Sequence, residues 1–171
     1  AKRLRKELLA AMRSRTNVLV FGEKGTNKDM FAYLIHCGER TSRGRCLIVE
    51  CGGLSKDAAR LFGNARCPGI LDRAGNGTLI LNDVHRLNKE LLGEVAALLE
   101  NGTYTSRANG QRRQSRLRII ATAESVVSDL ERIPRQSLER IKMPALRVRR
   151  QDLRKLVAYE LRRLCQLEGR E

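Results

Sequence analysis

The chain has 171 residues, 42% hydrophobic, with no Trp, three Phe and three Tyr, so the expectation is one domain with an aliphatic core. Its 34 Lys and Arg against 19 Asp and Glu give a net charge of +15, which points to a polyanionic partner, nucleic acid or an acidic protein, unless it serves only solubility. There is no apolar run of membrane-span length and no signal-peptide core. Cys37, Cys46, Cys51, Cys67 and Cys165 form an odd set without a Cys-x-x-Cys pair, which predicts free thiols in a reducing, cytoplasmic setting and argues against a metal or disulfide framework.

Leu4, Leu8, Leu9 and Met12 recur at helical spacing and predict a first helix with a polar outer face. Residues 17–21 read as a buried strand ended by Gly22, and residues 29–37 as a helix with Met30, Phe31, Leu34 and Ile35 on one side. Residues 46–49 read as a second strand. Ser55 is a cap for a short helix through Ala58, Ala59 and Leu61. Residues 78–81 give a third strand, and Asn88 caps a helix carrying Leu91, Leu92, Val95, Leu98 and Leu99. Two polar arms around Asn109-Gly110 predict a β-hairpin on a tight turn, followed by a fourth strand over 117–121 and a last helix over about 152–166. Strands alternating with helices predict an α/β fold with a mostly parallel sheet.

Gly22-Glu23-Lys24-Gly25-Thr26-Asn27-Lys28-Asp29 lies between a predicted strand and a predicted helix, the context a phosphate-binding loop requires. Such a loop curls backbone amides round phosphate oxygens, with a helix N-terminus behind them and a Lys ammonium on the outer phosphates. Gly22, Gly25 and Lys28 occupy the needed positions. Asn27 stands where glycine is usual, and Asn enters left-handed backbone more readily than other side-chain-bearing residues. The alternative is an ordinary Gly-rich turn.

From this loop onward the chain resembles the sigma-54-dependent transcription activators, bacterial AAA+ proteins. The loop is similar to their GESGTGKE, in which an acidic residue at the position of Asp29 is normal. Cys51-Gly52-Gly53-Leu54 resembles NCAAL, and Leu61-Phe62-Gly63 resembles LFG. Residues 69–84 resemble GRFELADGGTLFLDEI, residues 117–124 resemble VRVIAATN, and residues 144–153 resemble PPLRERREDI. The resemblance covers nearly the whole chain. It implies a P-loop NTPase core over residues 1–150, with residues 151–171 starting a helical lid. It also implies ATP or ADP as ligand, magnesium held through the nucleotide near Asp29, Asn82 and Asp83, and self-association as in AAA+ rings.

The departures fall where hydrolysis is performed. Asn82 holds the Walker B aspartate position and supplies no charge for a divalent ion. Asp83 holds the catalytic glutamate position, one methylene short, and a misplacement of about 1 Å can cost roughly 100-fold in rate. Glu124 replaces the first-sensor asparagine. Arg135 and Arg140 match the family's FREDLYYRL arginines, which act in trans on a neighbour's ATP, with one residue missing between them; a solvated basic turn is the alternative. Residues 64–68 replace the long loop bearing GAFTGA, the segment that touches the sigma factor, so sigma-54 activation is not expected. The lid's second-sensor arginine is absent from this sequence.

The predicted hairpin carries Arg107, Arg112, Arg113 and Arg116, with Arg118 beyond them and no acidic residue between 103 and 118. These arginines are candidates to grip phosphates; a solvated hairpin is the alternative. Three functions remain open at this point. The first is a regulatory or scaffold module that binds nucleotide with little or no hydrolysis. The second is an active ATPase working on a partner other than sigma-54. The third is a basic nucleic-acid-binding module with a relic phosphate loop.

Overall fold

The side chains of the central strands alternate between two aliphatic cores, one on each face of the sheet. The computed structural model describes residues 2–38, 45–54 and 58–167. Five strands, β1 (Asn17–Phe21), β2 (Arg45–Glu50), β3 (Asn76–Asn82), β6 (Arg116–Ala123) and β7 (Leu138–Lys142), lie in the order β2-β3-β6-β1-β7 with every neighbouring pair parallel. Leu19, Leu79, Leu81, Ile119 and Ala121 face one core; Val18, Val20, Ile80 and Ile120 face the other. This period of two, apolar on both faces, is the pattern of a sheet covered by helices on both sides.

Helices α1 (Lys2–Arg13) and α2 (Lys28–Gly38) cover the second face, contributing Ala11, Phe31, Ala32 and Ile35. The first face is covered mainly by α6 (Lys89–Asn101), whose Leu91, Leu92, Val95, Leu98 and Leu99 are all buried. Each fully buried leucine contributes about 1.5–3 kcal/mol of transfer free energy. The Asn88 side chain accepts from the Leu91 N–H at 2.9 Å and starts α6, and Gly102, at φ 67°, ends it. Shorter helices α3 (Cys51–Leu54), α4 (Ala59–Phe62), α5 (Ile70–Arg73) and α7 (Ser128–Glu131) complete the connections, and α8 (Arg150–Leu167) ends the described chain. Ser55, the expected cap, lies outside the described residues.

Three expectations need correction. Residues 138–142 form an edge strand, although Leu138 and Ile141 are their only apolar residues. Paired on one side only with β1, β7 needs just those two buried side chains, and its charged residues hide the strand pattern. The hairpin strands β4 (Thr103–Thr105) and β5 (Arg112–Gln114) are shorter than expected, and the tight Asn-Gly turn is not formed. Gly110 has φ 69°, but Asn109 is not left-handed; the connection is wider, closed by Ser106 N–H to the Gln111 carbonyl at 2.9 Å and Gly110 N–H to the Ser106 carbonyl at 2.8 Å. Arg118 points inward from β6. It is 5% exposed, and its guanidinium donates to the carbonyls of Ala11 at 2.6 Å and Thr16 at 3.2 Å, tying β6 to the end of α1.

Candidate nucleotide-binding site

The loop between β1 and α2 is already closed. Gly25, at φ 80°, and Asn27, at φ 59°, are both left-handed, so Asn27 adopts the backbone that glycine would supply. The Thr26 hydroxyl donates to the Glu23 carbonyl at 2.8 Å, and Lys28 Nζ donates to the same carbonyl at 3.1 Å. Thr26 is fully buried and Lys28 is 6% exposed, so the ammonium sits inside the curl of the loop. Gly22 is required for close packing: a Cβ there would stand 2.8 Å from the Met143 carbonyl oxygen, just after β7. The Asn27 carbonyl accepts from the Phe31 N–H at 3.1 Å, launching α2 with its free amides toward the loop.

The carboxyl ends of β2, β3 and β6 face this loop, the region where open α/β sheets bind ligands. Asp83 ends β3 with φ 56° and turns the chain into a short 3-10 turn, Val84–Arg86. Its N–H donates to Thr122 Oγ1 at 3.1 Å, and that hydroxyl donates to Asp29 Oδ1 at 3.3 Å, linking β3, β6 and α2. Burial pushes the Asp29 carboxyl above its ordinary value, the negative charges of Asp83 and Glu50 add to that, and the Thr122 hydrogen bond and Lys28 oppose it. Asn82 is 6% exposed and its Nδ2 donates to Glu50 Oε1 at 2.7 Å. Its Oδ1 is buried and finds no donor among the described residues. Glu124 is half exposed; its N–H donates to His85 Nδ1 at 3.3 Å, and its carboxylate lies 3.9 Å from His85 Nε2.

Beside the loop opens a cavity of about 670 Å³, within the range of small-molecule sites. Gly22 and Glu23 form one wall, Leu4 and Glu7 of α1 another, and Met143, Arg147 and Val148 a third. Arg147 Nη1 reaches Glu23 Oε2 at 2.6 Å across its mouth. Lys24 lies exposed on the outside of the loop, and Arg135 is exposed beyond α7.

Not every predicted residue joins this site. Arg140 donates through Nη2 to the carbonyls of Leu130, Glu131 and Ile133, at 2.7, 2.8 and 2.6 Å, and so secures the end of α7. In this single chain Nη2 of the candidate trans arginine is thus engaged within its own subunit. The hairpin arginines are also partly engaged. Arg107 pairs with Glu94 at 2.6 Å and Glu90 at 3.6 Å and lies 5.7 Å above the Phe62 ring. Arg113 pairs with Asp72 at 3.2 Å, and Arg112 donates to the Thr103 hydroxyl. Arg116 is exposed. The absence of acids within the hairpin sequence concealed these pairs, because Glu90, Glu94 and Asp72 come from α6 and α5. Glu50, Thr122 and Arg147 had no role in the sequence reading; Glu50 had one visible signal, its place next to the NCAAL-like stretch.

The family model described as the sigma-54 interaction domain matches residues 1–140. Among curated relatives, the transcriptional activator RocR of Bacillus subtilis is 29% identical over 161 residues, 84% of this chain and 35% of that protein. The nitric oxide reductase transcription regulator NorR1 of Cupriavidus necator is 30% identical over 156 residues, 80% of this chain and 30% of that protein. The chain thus spans about a third of the length of these relatives. Crystal structures of NtrX from Brucella abortus in complex with ADP and with ATP superpose with TM-scores of 0.79 and 0.80. They cover 98% of this chain and 41% and 40% of NtrX, at 21% and 20% identity, a likeness of fold. A match that spans α1 into β7 takes in the loop, four of the five sheet strands in full and the hairpin together: the chain belongs to the sigma-54 interaction domain family, on an AAA+ P-loop core.

Proposed function

We propose that this domain binds ATP or ADP through residues 22–29, hydrolyses it slowly or not at all, and acts as a regulatory or scaffold module linked to transcription. The observation that carries this reading is Lys28. A buried ammonium is costly unless strongly partnered, and Lys28, whose hydrogen bond goes to the Glu23 carbonyl with the Asp29 charge nearby, would gain from a phosphate oxygen. The NtrX complexes with ADP and ATP support it by likeness of fold. Slow turnover is read from Asn82, which lacks the charge, from Asp83, which is one methylene short, and from Glu124, whose carboxylate would repel the γ-phosphate.

Magnesium bound with the nucleotide would neutralise phosphate charge. The strand ends fit a hydrated ion: the buried Asn82 Oδ1 is an acceptor without a donor among the described residues, and the next residue, Asp83, is linked through Thr122 to Asp29. Within the same reading, residues 151–171 begin a helical lid, and exposed Val157, Tyr159 and Leu161 on α8 offer apolar surface for self-association. The free thiols fit a reducing compartment, and no helix among the described residues is long and apolar enough to cross a membrane. The net charge of +15 favours a second reading, a nucleic-acid-binding module.

Isothermal titration and thermal melting with ATP and ADP test the proposal. At about 100 times the dissociation constant, nucleotide should stabilise the fold by roughly 2.7 kcal/mol, and Lys28→Ala should lose that gain. Turnover should fall well below about 1 per second. An unchanged melting temperature in saturating ATP would mean that the loop is a relic.

A further inference from the structure

Glu50 and Asn82 are register partners at the carboxyl ends of adjacent parallel strands, joined side chain to side chain at 2.7 Å. The stretch that resembles NCAAL begins with asparagine at the position of Glu50, and the stretch that resembles LFLDEI has aspartate at the position of Asn82. In this chain the amide and the carboxylate have exchanged strands. We propose that Glu50, on β2, supplies the carboxylate that holds the divalent cation of a bound nucleotide, in place of the one missing from β3.

Three features support this assignment, which rests on the nucleotide-binding reading. First, a carboxylate only accepts, so Glu50 fixes Asn82 with its NH2 toward β2 and its oxygen turned away. That oxygen is the buried acceptor left without a donor among the described residues, in a side chain 6% exposed. A water of a hydrated cation supplies the missing donor. Second, Asp29 on the loop feels the negative charge of Glu50 as well as that of Asp83, so a cation near Asp29 would feel Glu50 too. Third, Glu50 is exposed, and one oxygen is engaged by Asn82, leaving the other for a coordinated water. Magnesium sheds its waters reluctantly and is commonly held by one or two carboxylates together with phosphates, so an outer contact from β2 suffices. The exchange also keeps the number of carboxylates on this strand pair unchanged.

The test is titration of the chain with ADP in EDTA and in excess Mg²⁺, with Mn²⁺–ADP followed by the paramagnetic resonance of free Mn²⁺. Wild type should bind ADP in EDTA, and Mg²⁺ should tighten that binding about tenfold or more, the range seen when residues around a metal are altered. Glu50→Gln retains an acceptor for Asn82 and removes only the charge. It should bind ADP in EDTA as wild type does, lose the Mg²⁺ effect, and release Mn²⁺. The double variant Glu50→Asn with Asn82→Asp should recover both. Undiminished metal dependence in Glu50→Gln, or wild-type ADP binding with no metal dependence, overturns the assignment and leaves nucleotide binding intact. Wild type that binds no ADP in either condition overturns both.

Discussion

Asp72 shows how one carboxylate can organise a region. Its side chain is 4% exposed and accepts from the Gly69 N–H at 3.2 Å, the Ser106 hydroxyl at 2.8 Å, the Tyr104 hydroxyl at 3.1 Å and the Arg113 guanidinium at 3.2 Å. Burial by itself would push this carboxyl up. The bonds from Ser106, Gly69 and Tyr104, with the charge of Arg113, outweigh it and hold Asp72 below its ordinary value of 3.8. A depressed value in the folded state means that the stabilisation is fully present above the unfolded value and is lost as pH falls through the folded one. Asp72→Asn presents an NH2 where donors already point, and should cost about 1–3 kcal/mol at neutral pH. Urea denaturation from pH 7 down to pH 2 should show that cost shrinking below about pH 4, as the wild-type carboxyl protonates. A cost that stays constant across the whole range would mean that packing, not charge, is what Asp72 provides.

At the level of elements, that hub decides what the hairpin can do. Tyr104 is buried and β4 packs on α6, while Asp72 binds both arms, through Tyr104 on β4 and Arg113 on β5. Arg107 and Arg113 are paired with Glu94 and Asp72 where they sit, and Arg118 belongs to the core. Arg112 and Arg116 form no ion pair among the described residues, and phosphate contact by this ribbon is expected at those two. Replacing those two with Ala should flatten the log–log salt dependence of duplex DNA binding by about one to two units, at roughly 0.9 per phosphate. Arg107→Ala should leave the slope alone and cost about 0.2–1 kcal/mol of stability. The reverse pattern in a salt titration of both variants would reinstate Arg107 as a phosphate ligand. The same elements mark where reading by sequence succeeded and failed. Four aliphatic strands, α2 and the Asn88 cap declare themselves through local periodicity and capping chemistry. β7 does not, because an edge strand needs only Leu138 and Ile141. Arg118, Arg140 and Asp72 were illegible for a different reason: their partners lie on other elements, and charge counted along the chain says nothing of that. The phosphate loop was legible down to the left-handed Asn27, whereas the Glu50–Asn82 pair emerges only from the strand register.

For the molecule as a whole, the family is shown by residues 1–140, and the loop that would touch a sigma factor is replaced by a short turn. Where a long loop would bear GAFTGA, residues 64–68 close a tight turn. The Asn64 N–H donates to the Cys67 carbonyl at 2.8 Å, and Asn64 Oδ1 accepts from the Arg66 and Cys67 amides at 2.9 and 2.8 Å. The turn is sealed at its base: Gly63 has φ 83°, and a Cβ on it would stand 2.8 Å from the Gly69 nitrogen. Such a turn has no length to reach outward. Gly69, which follows it, also donates to Asp72, so the turn, α5 and the hairpin form one braced unit. Nucleotide bound at residues 22–29 would order the loop, Asp29 and the strand ends, while residues 64–68 are closed on themselves by the Asn64 and Cys67 bonds. With ATP, this domain should therefore yield no open complexes at a sigma-54 promoter, scored by permanganate footprinting beside an intact activator. Hydrogen–deuterium exchange should show added protection at residues 22–31 with ATP or ADP, and unchanged exchange over residues 62–73 and 103–115. Protection that changes in the turn or the hairpin with nucleotide, but not in Asp72→Asn, would show that the brace transmits movement, and the domain would then have to be regarded as a motor.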